Sequence, residues 1–491
     1  MGIVEQNGFA NQEASHGLDA QAAEARRDLR RLNYQPPNWV LPAEGPDGRL
    51  ALDVLVIGAG MCGQTAAFAL LREGVSNIRV VDRAPKGLEG PWGTFARMET
   101  LRSPKQLTGP DLGVPSLTFR AWYEAQHGLQ GWRDLYKVAR LDWLRYLGWV
   151  RETAAIPVEN DTEVLRLWPA AGALIGAEIV GPSGSETVYG RKVVLACGRE
   201  GSGGRRMPAF ATGGSSGRLF HSSDEIDFAR FAGGRMAVLG ASASAIDNAA
   251  CALEAGVPDV TLFVRRRHFP QVNKSKWASF PGFQRGYAAL DDRHRWAFYT
   301  YILGEGTPPP HESVLRCTRY PGFRIRFGEG WTGVRDAADG LVIETQQGEY
   351  PVEAAVIAIG FDLDLVQRHE LAAFAPQILT WGDRVSPAEA ARHPEAARFP
   401  YLGPGMEMLE RELGALPALA NLHVFNWGVT MSHGALAGDI PGLGTGANRI
   451  AQAIVRDLFM ADVDRHFERM QQAEDDELRP TDYFLAREER S

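Results

Sequence analysis

Two segments of this chain share one order of elements, in which an apolar strand runs into a turn of small residues and then into a helix. The first consists of the strand LDVLVIG (52–58), a helical stretch at 61–74 and the strand NIRVVDR (77–83). The second covers residues 234–267 and repeats the order strand, turn, helix, strand. Continuous apolar strands of this kind are typical of parallel sheets buried on both faces. The repeat predicts an α/β fold with two Rossmann-like dinucleotide-binding domains.

The first turn has the complete pattern G-x-G-x-x-G, in the residues Gly58, Ala59, Gly60, Met61, Cys62 and Gly63. In such a turn the first glycine permits a tight bend and the second lets a pyrophosphate approach the backbone. The third lets the helix pack closely on the strand. The next strand ends in Asp82, followed by Arg83, and an acid at this place accepts hydrogen bonds from a ribose diol.

The second turn keeps the first glycine and replaces the others with small residues, in Gly240, Ala241, Ser242, Ser244 and Ala245. Its second strand ends in Arg265, Arg266 and Arg267 instead of an acid. A carboxylate would repel a 2′-phosphate, whereas a guanidinium binds it through charge-assisted hydrogen bonds. The contrast predicts FAD in the first unit and NADPH in the second. A solvated run of surface charge is the alternative interpretation of the arginines.

Further segments accompany the two turns: Gly90-Pro91-Trp92, the strand VVLACG (193–198), AVIAIGFDLD (355–364) and a glycine-rich stretch before the last helix. With these the chain resembles the class B flavoprotein monooxygenases, which include flavin-containing, Baeyer–Villiger and amino-acid N-hydroxylating enzymes. The resemblance implies FAD, NADPH and O2, with oxygen transferred from a C4a-(hydro)peroxyflavin. It also places Trp92, Gly360 and Gly444 near FAD.

Two short runs bear on the subfamily. TLRSP (100–104) is similar to the T-x-R-x-P run of the amino-acid N-hydroxylases, and QVNK (271–274) is similar to their F-V-N-E run. In those enzymes a Lys upstream of the first run and the Asn of the second contact the substrate, which makes Arg97 and Asn273 candidates. Lys274 replaces the Glu, so the site is expected to be cationic and to suit an acidic amino acid. The resemblance thus implies N-hydroxylation of a small amino acid or related amine, with no residue singled out as catalytic. The candidate substrate residues are Arg97, Arg102, Lys105, Asn273, Lys274 and Lys276.

Two other functions stay open. A Baeyer–Villiger or sulfur-oxygenating enzyme would use the same cofactors, but the Baeyer–Villiger motif F-x-G-x-x-x-H is only partly present, in Gly217 and His221. His221 is expected to anchor a linker between the domains. A flavoprotein oxidase or reductase with a protein partner would need a redox cysteine pair, and the four cysteines include no C-x-x-C.

The net charge, the lengths of the apolar runs and the cysteine spacing limit the partners, the location and the metal sites that we expect for this chain. The formal net charge is −8, which disfavours nucleic acid and an anionic membrane as partners. No apolar run has the length of a membrane-spanning helix, and the N-terminus lacks the apolar segment of a signal peptide. The cysteine spacing fits neither a zinc site nor a disulfide framework, and no metal is predicted. We expect a cytoplasmic enzyme whose partners are a small amine substrate and O2; a homo-oligomer stays open.

The expected domain order is nested, with the second dinucleotide domain inserted into the first. The segments are a leader (1–50), the first part of the FAD domain (51–215), the NADPH domain (216–350) with a substrate-side insertion near 268–335, and the second part of the FAD domain with C-terminal helices (351–491). Residues 87–150 and 268–335 are expected to be irregular. The aromatic residues expected on the substrate side are Trp277, Phe280, Phe283, Trp296, Tyr299 and Tyr301.

Overall fold

The computed structural model describes residues 3–106, 109–211, 217–475 and 477–478, with side chains from residue 17 onward. Its strands are β1 (Leu52–Ile57), β2 (Ile78–Val81), β3 (Val158–Glu159), β4 (Glu163–Pro169), β5 (Ile175–Gly181), β6 (Gly184–Leu195), β7 (Gly203–Arg205), β8 (Leu219–His221), β9 (Arg235–Leu239), β10 (Asp259–Val264), β11 (Phe323–Phe327), β12 (Trp331–Ala337), β13 (Gly340–Thr345), β14 (Gly348–Val352), β15 (Ala354–Ile357), β16 (Phe361–Leu363) and β17 (Leu422–Val424). Its helices are α1 (Ile3–Arg31), α2 (Met61–Arg72), α3 (Phe119–Asp134), α4 (Arg140–Thr153), α5 (Ala243–Glu254), α6 (Pro281–Gly286), α7 (Asp292–Glu305), α8 (His311–Thr318), α9 (Pro387–Arg392), α10 (Pro394–Ala397), α11 (Thr430–His433), α12 (Leu443–Ala461) and α13 (Val463–Gln471).

The first sheet is built around β1, which pairs in parallel with β2 on one side and with β6 on the other. Strands β3 and β17 extend the parallel part, while β5 and β4 add an antiparallel ribbon to the long strand β6. Val54, Leu55 and Val56 are completely buried, which explains the uninterrupted apolar run of β1. Helices α2 and α12 pack against each other beside this sheet.

The second sheet is entirely parallel, in the order β11-β10-β9-β15-β8. Helix α5 lies between β9 and β10 in the chain and buries Ile246 and Leu253 against the sheet. Two connecting segments cross between the sheets, and their strands β7 and β16 pair in antiparallel fashion. The α/β fold with two Rossmann-like units is therefore confirmed.

The strand β15 corrects one predicted boundary. A division at 350/351 assigns β15 to the FAD domain, whereas β15 pairs with β8 and β9 and completes the second sheet. Its four residues are all buried, which is what a central parallel strand requires. The predicted boundary at 215/216 lies outside the described residues, and the four-part division as a whole stays a prediction.

The segments expected to be irregular contain helices. Residues 87–150 include α3 and most of α4, and residues 268–335 include α6, α7, α8, the strand β11 and most of β12. Helices α3 and α4 contain several aromatic residues of modest helix propensity, and burial of Trp122, Trp143 and Tyr146 stabilises them. The last long helix, α12, begins at Leu443 and not at residue 450. Its Gly446 packs tightly, since a Cβ there would lie 2.6 Å from the ring of Phe425.

The leader packs on the first domain of the same chain. Ala25 and Leu29 of α1 belong to the first domain's core. The Tyr34 hydroxyl donates to the carbonyl of Ala154 at 2.7 Å, and the indole of Trp39 donates to the carbonyl of Glu73 at 2.8 Å. Among the residues that the structure describes, no helix combines the length and the apolar character needed to cross a membrane.

Candidate functional site

Glycine occupies the three positions of the first turn for different structural reasons. A Cβ on Gly58 would lie 2.7 Å from the carbonyl oxygen of Ala196, and one on Gly63 would lie 1.7 Å from that of Gly58. Both positions therefore need glycine for the packing of the protein itself. A Cβ on Gly60 would meet nothing closer than the Cα of Gly90, at 3.7 Å. The space above Gly60 is free for a ligand's phosphate, as the pattern predicts.

Asp82 is held at the end of β2 by two backbone groups. Its carboxylate accepts hydrogen bonds from the amides of Ala59, at 2.7 Å, and Ala84, at 2.8 Å. Burial raises the pKa of this carboxyl above its usual value, and the two amides act in the opposite direction. Arg83 turns away and forms an ion pair with Glu200 at 2.9 Å. These contacts fix Asp82 beside the turn, where a ribose diol would reach it.

The rest of the first site is formed by segments far away in sequence. The amide of Gly438 donates to the sulfur of Cys62 at 3.4 Å, which brings the loop before α12 against the first turn. Burial raises the pKa of the Cys62 thiol to about 11, so this cysteine is a packing residue and stays protonated. The predicted positions Gly360 and Gly444 line open space, because a Cβ added at either would meet nothing closer than a Leu112 methyl group, 3.8 Å from that of Gly444.

Trp92 is half-buried against the first domain's core, with its indole nitrogen shielded from solvent and without an acceptor among the described residues. Its carbonyl accepts a hydrogen bond from Arg140. His221 joins the two connecting segments, because its Nε2 lies 3.0 Å from the carbonyl oxygen of Gly360. Burial lowers the pKa of His221, which suits this structural contact. The open space at Gly60 and the carboxylate of Asp82 beside it are the features that fit FAD.

The second turn repeats the first in a reduced form. A Cβ on Gly240 would lie 2.4 Å from the carbonyl oxygen of Ala358, so glycine is required there. Ala241 follows it, and Ala245 is buried under the turn. Ser242 precedes α5 and its side chain makes no capping hydrogen bond, which leaves the hydroxyl free for a phosphate. Ser244 lies in the first turn of α5, where amide groups face the same space.

The arginines after β10 divide into two groups. The guanidinium of Arg266 donates to the carbonyls of Glu305, at 2.9 Å, and Gly304, at 3.0 Å, and thereby caps the end of α7. Arg265 and Arg267 are exposed and form no side-chain hydrogen bond or ion pair with the described residues. Arg265 is therefore the better candidate for a 2′-phosphate, and Arg266 is occupied by the protein.

We expect Arg265→Ala to raise the KM for NADPH about tenfold while leaving that for NADH nearly unchanged, because only NADPH carries the 2′-phosphate. Arg266→Ala should instead lower the melting temperature through loss of the α7 cap. Steady-state kinetics with both nucleotides and thermal unfolding of both variants separate these effects. An equal loss of NADPH and NADH affinity in Arg265→Ala would refute the assignment.

Most of the predicted substrate residues face protein groups. Arg97 donates to the carbonyls of Ser222 and Asp224, both at 2.7 Å, and so ties the first domain to the connecting segment. Lys105 donates to the carbonyls at the end of α3 and lies 4.9 Å from the ring centre of Trp132. Their role in substrate binding stays a prediction.

The predicted substrate residues after β10 differ in burial and in contacts. Lys274 lies 5.5 Å from the ring centre of Tyr301, and Lys276 is exposed. Asn273 is half-buried, and its Oδ1 is shielded from solvent without a donor among the described residues. Of these residues only Asn273 retains an unused polar group directed into the protein.

The aromatic residues expected on the substrate side fall into a buried group and an exposed group. Trp296 and Tyr299 are buried in a core shared with Trp381 and Phe399, whereas Trp277 is 76% exposed. Phe280 and Tyr301 are likewise exposed, and Phe283 stacks on the buried Tyr287.

A cluster that sequence reasoning did not identify lies at the carboxyl end of β6 and β17. The guanidinium of Arg199 lies 4.1 Å from the ring centre of Trp427. Asp439, in the loop before α12, is close enough to interact electrostatically with Arg199 and with the predicted residue Arg102. The same carboxylate also acts electrostatically on the hydroxyl of Tyr299. Four distant segments thus converge at one edge of the first sheet.

Arg199 is exposed, although protein surrounds it closely enough for desolvation to lower the pKa of its guanidinium. A cleft produces this combination of solvent access and desolvation. Desolvation also lowers the pKa of Arg102 and raises that of Asp439. The signal that could have revealed the cluster is positional, because ligands in open α/β sheets bind outside the carboxyl ends of the strands.

Comparisons with known proteins agree with this architecture. A model of an FAD-NAD(P)-binding family matches residues 55–200. The FAD-dependent urate hydroxylase of Xanthomonas campestris is 39% identical over 438 residues, which cover 89% of this chain and 92% of that protein.

Solved structures of lower identity share the fold. The ornithine N-hydroxylase of Kutzneria sp. 744 superimposes with a TM-score of 0.67 at 17% identity, over 83% of this chain and 99% of that one. The ornithine hydroxylase of Pseudomonas aeruginosa gives 0.65 at 15% identity, over 83% of this chain and 100% of that one.

Proposed function

Because this chain belongs to the family of FAD-dependent flavoprotein monooxygenases that includes the urate hydroxylase of Xanthomonas campestris, we propose that it hydroxylates urate or a closely related oxidised purine. The sequence prediction of a flavoprotein monooxygenase that uses FAD and a nicotinamide dinucleotide is confirmed at the family level. The substrate rests on one observation, the likeness to a urate hydroxylase over nearly the whole of both chains.

The reaction inserts one atom of O2 into the substrate ring and releases the other as water, with one NADPH and one proton consumed. FAD, when reduced by the nicotinamide, supplies the activated oxygen. The protein's own residues hold and shield the reactants. The turn at Gly60 and the carboxylate of Asp82 would hold the FAD phosphates and ribose, and the inserted domain would cover the cofactor from the other side. The amide of Gln284 reaches the carbonyl of Pro441, beside α12, at 3.0 Å.

Helix α12 also holds the inserted domain in place, through hydrogen bonds to α6. The guanidinium of Arg449 on α12 donates to the carbonyls of Gln284 and Arg285 in α6, at 3.2 and 3.3 Å. These bonds hold the substrate-side insertion against the helix whose N-terminus faces the FAD cleft. A cleft closed in this way excludes water, which limits loss of the activated oxygen as peroxide.

The purified protein reconstituted with FAD should oxidise NADPH faster when urate is added, with urate consumed in proportion. The measurement combines NADPH absorbance, urate absorbance and a peroxide assay, with xanthine, ornithine, lysine and glutamate as comparison substrates. Urate-independent NADPH oxidation that yields only peroxide would contradict the proposal.

The second candidate is N-hydroxylation of an amino acid or related amine, with an acidic amino acid as the variant suggested by the basic residues. It is supported by the TLRSP run and by the shielded Oδ1 of Asn273, which could accept a hydrogen bond from a substrate amine. In the same substrate panel, formation of a hydroxylamine from ornithine, lysine or glutamate would establish it. Asn273→Ala should then raise the KM for the amine and leave NADPH affinity unchanged.

A further inference from the structure

Two arginines near Asp439 form no close ion pair within the described residues. Within the described residues, Arg199 donates no side-chain hydrogen bond and forms no ion pair, and Arg102 makes a single hydrogen bond, to a backbone carbonyl. By contrast, the buried Arg316 lies between the carboxylates of Asp247 and Glu254. Both side chains reach solvent, so their remaining N–H groups are accessible to a ligand. The arrangement is understandable if an anion completes it.

The partner of Arg199 is an aromatic face. Its guanidinium carbon lies 4.1 Å from the ring centre of Trp427, which is the distance of a stacked pair. Stacking uses the face of the guanidinium and leaves its N–H groups free at the edge. Gly198, directly before it, has a φ of +66° and nothing near a Cβ, so the backbone turns sharply and leaves open space at this point.

Complementary polar groups lie on the other side. The carboxylate of Asp439 accepts a hydrogen bond from the amide of Ile440 and keeps further acceptor capacity. The hydroxyl of Tyr299 accepts from the amide of Ala435, which leaves its O–H available as a donor. The cleft therefore offers two guanidinium groups, one hydroxyl and one carboxylate from four separate segments of the chain.

We propose that Arg199 and Arg102 form an anion-recognition site for a planar, singly charged oxopurine ring, with Asp439 accepting a ring N–H. A urate anion presents carbonyl oxygens and ring nitrogens in one plane, and the parallel N–H groups of a guanidinium match such a pair of acceptors. The identity of this anion rests on the proposed function. The charge and planarity of the ligand rest on the residues of the cleft.

The site also separates the two candidate substrates. Asp247 and Glu312 also act on Arg102, but each is paired with another cation, Asp247 with Arg316 and Glu312 with Lys137. The two guanidinium groups thus exceed the remaining carboxylate, Asp439, and their positive charge repels the cationic side chain of ornithine or lysine. A planar anion gains from both arginines. The cleft should therefore bind urate more tightly than either diamino acid, whatever the catalytic outcome.

Arg199→Gln tests the site, with Arg199→Lys to restore the charge without the planar edge. Arg145→Gln, at an exposed position on α4, is the matched control. Equilibrium binding of urate to the oxidised FAD protein is measured by calorimetry, alongside FAD affinity and urate turnover. We expect Arg199→Gln to weaken urate binding about 10- to 100-fold, Arg199→Lys to weaken it less, and FAD affinity to change less than about twofold.

The results of these measurements distinguish failure of the anion site from failure of the proposed function. Unchanged urate binding in Arg199→Gln, or loss of FAD in that variant, would overturn the proposal, the latter because the cluster would then belong to the flavin. If the wild-type protein binds urate through Arg199 but does not hydroxylate it, the anion site stands and the proposed function fails. If urate turnover is intact and independent of Arg199, the proposed function stands and the anion site fails.

Discussion

Gly60→Ala is expected to fold normally and to lose most of its affinity for FAD, whereas Gly63→Ala is expected to fold poorly. At Gly60 the backbone has φ −65° and ψ −173°, which any residue adopts, and the nearest atom to an added Cβ is 3.7 Å away. The methyl group would occupy the space that a pyrophosphate needs. We expect an FAD dissociation constant about 10- to 100-fold higher, from the cost of overpacking one contact.

At Gly63 the same methyl group would lie 1.7 Å from the carbonyl oxygen of Gly58. Helix α2 would have to move away from β1, at a cost of about 3 kcal/mol or more. The two variants thus form a matched pair that separates ligand contact from folding. Thermal unfolding of the FAD-free proteins and fluorescence titration with FAD provide the measurements. Wild-type FAD affinity in Gly60→Ala would show that FAD does not lie on this turn.

Acid is expected to destabilise the protein strongly, through two buried histidines. His423 and His433 are almost completely buried, and desolvation together with nearby Lys192 and Arg449 lowers the pKa of each to about 3. In the unfolded chain each has its ordinary pKa of about 6.5 and takes up a proton first. Stability from these groups is therefore complete above about pH 6.5 and is lost as the pH falls toward 3. At pH 5 the loss is about 2 kcal/mol per histidine, or about 4 kcal/mol for both.

His433→Gln provides the test. The Nε2 of His433 lies 2.9 Å from the carbonyl oxygen of Gly403, and its Nδ1 lies 3.0 Å from Arg449. A glutamine amide can make both contacts and cannot be protonated in this range. Urea unfolding at pH 7 and pH 5 should show about 2 kcal/mol less acid destabilisation in this variant. His127→Gln, at an exposed position, should keep the wild-type pH dependence; equal slopes in all three proteins would contradict the assignment.

The two dinucleotide units could be predicted from sequence because their constraints are local. Gly58 and Gly63 are required by contacts within one βαβ unit, and the apolar run of β1 reflects burial by its direct neighbours. The position of β15 could not be predicted, since its sequence suits a buried strand in either sheet. Helices α3 and α4 could not be predicted either, because buried aromatic residues stabilise them and their local propensity is modest.

The substrate side could be predicted only in part. Arg102 lies near Asp439 and its role with the substrate stays a prediction, whereas Arg97 is directed to backbone carbonyls that belong to a segment more than a hundred residues away. Arg199, Trp427 and Asp439 come together only through the pairing of β6 with β17 and the return of the chain into α12. A single sequence has no local pattern that records such a convergence.

The fate of molecular oxygen during turnover with urate tests the proposed hydroxylation most directly. The FAD-loaded protein, NADPH and urate are incubated under isotopically heavy O2, and the product is analysed by mass spectrometry with NADPH consumption followed in parallel. We expect one heavy oxygen atom in the hydroxylated purine for each NADPH oxidised. Unlabelled urate recovered intact, with all the heavy oxygen in hydrogen peroxide, would contradict it.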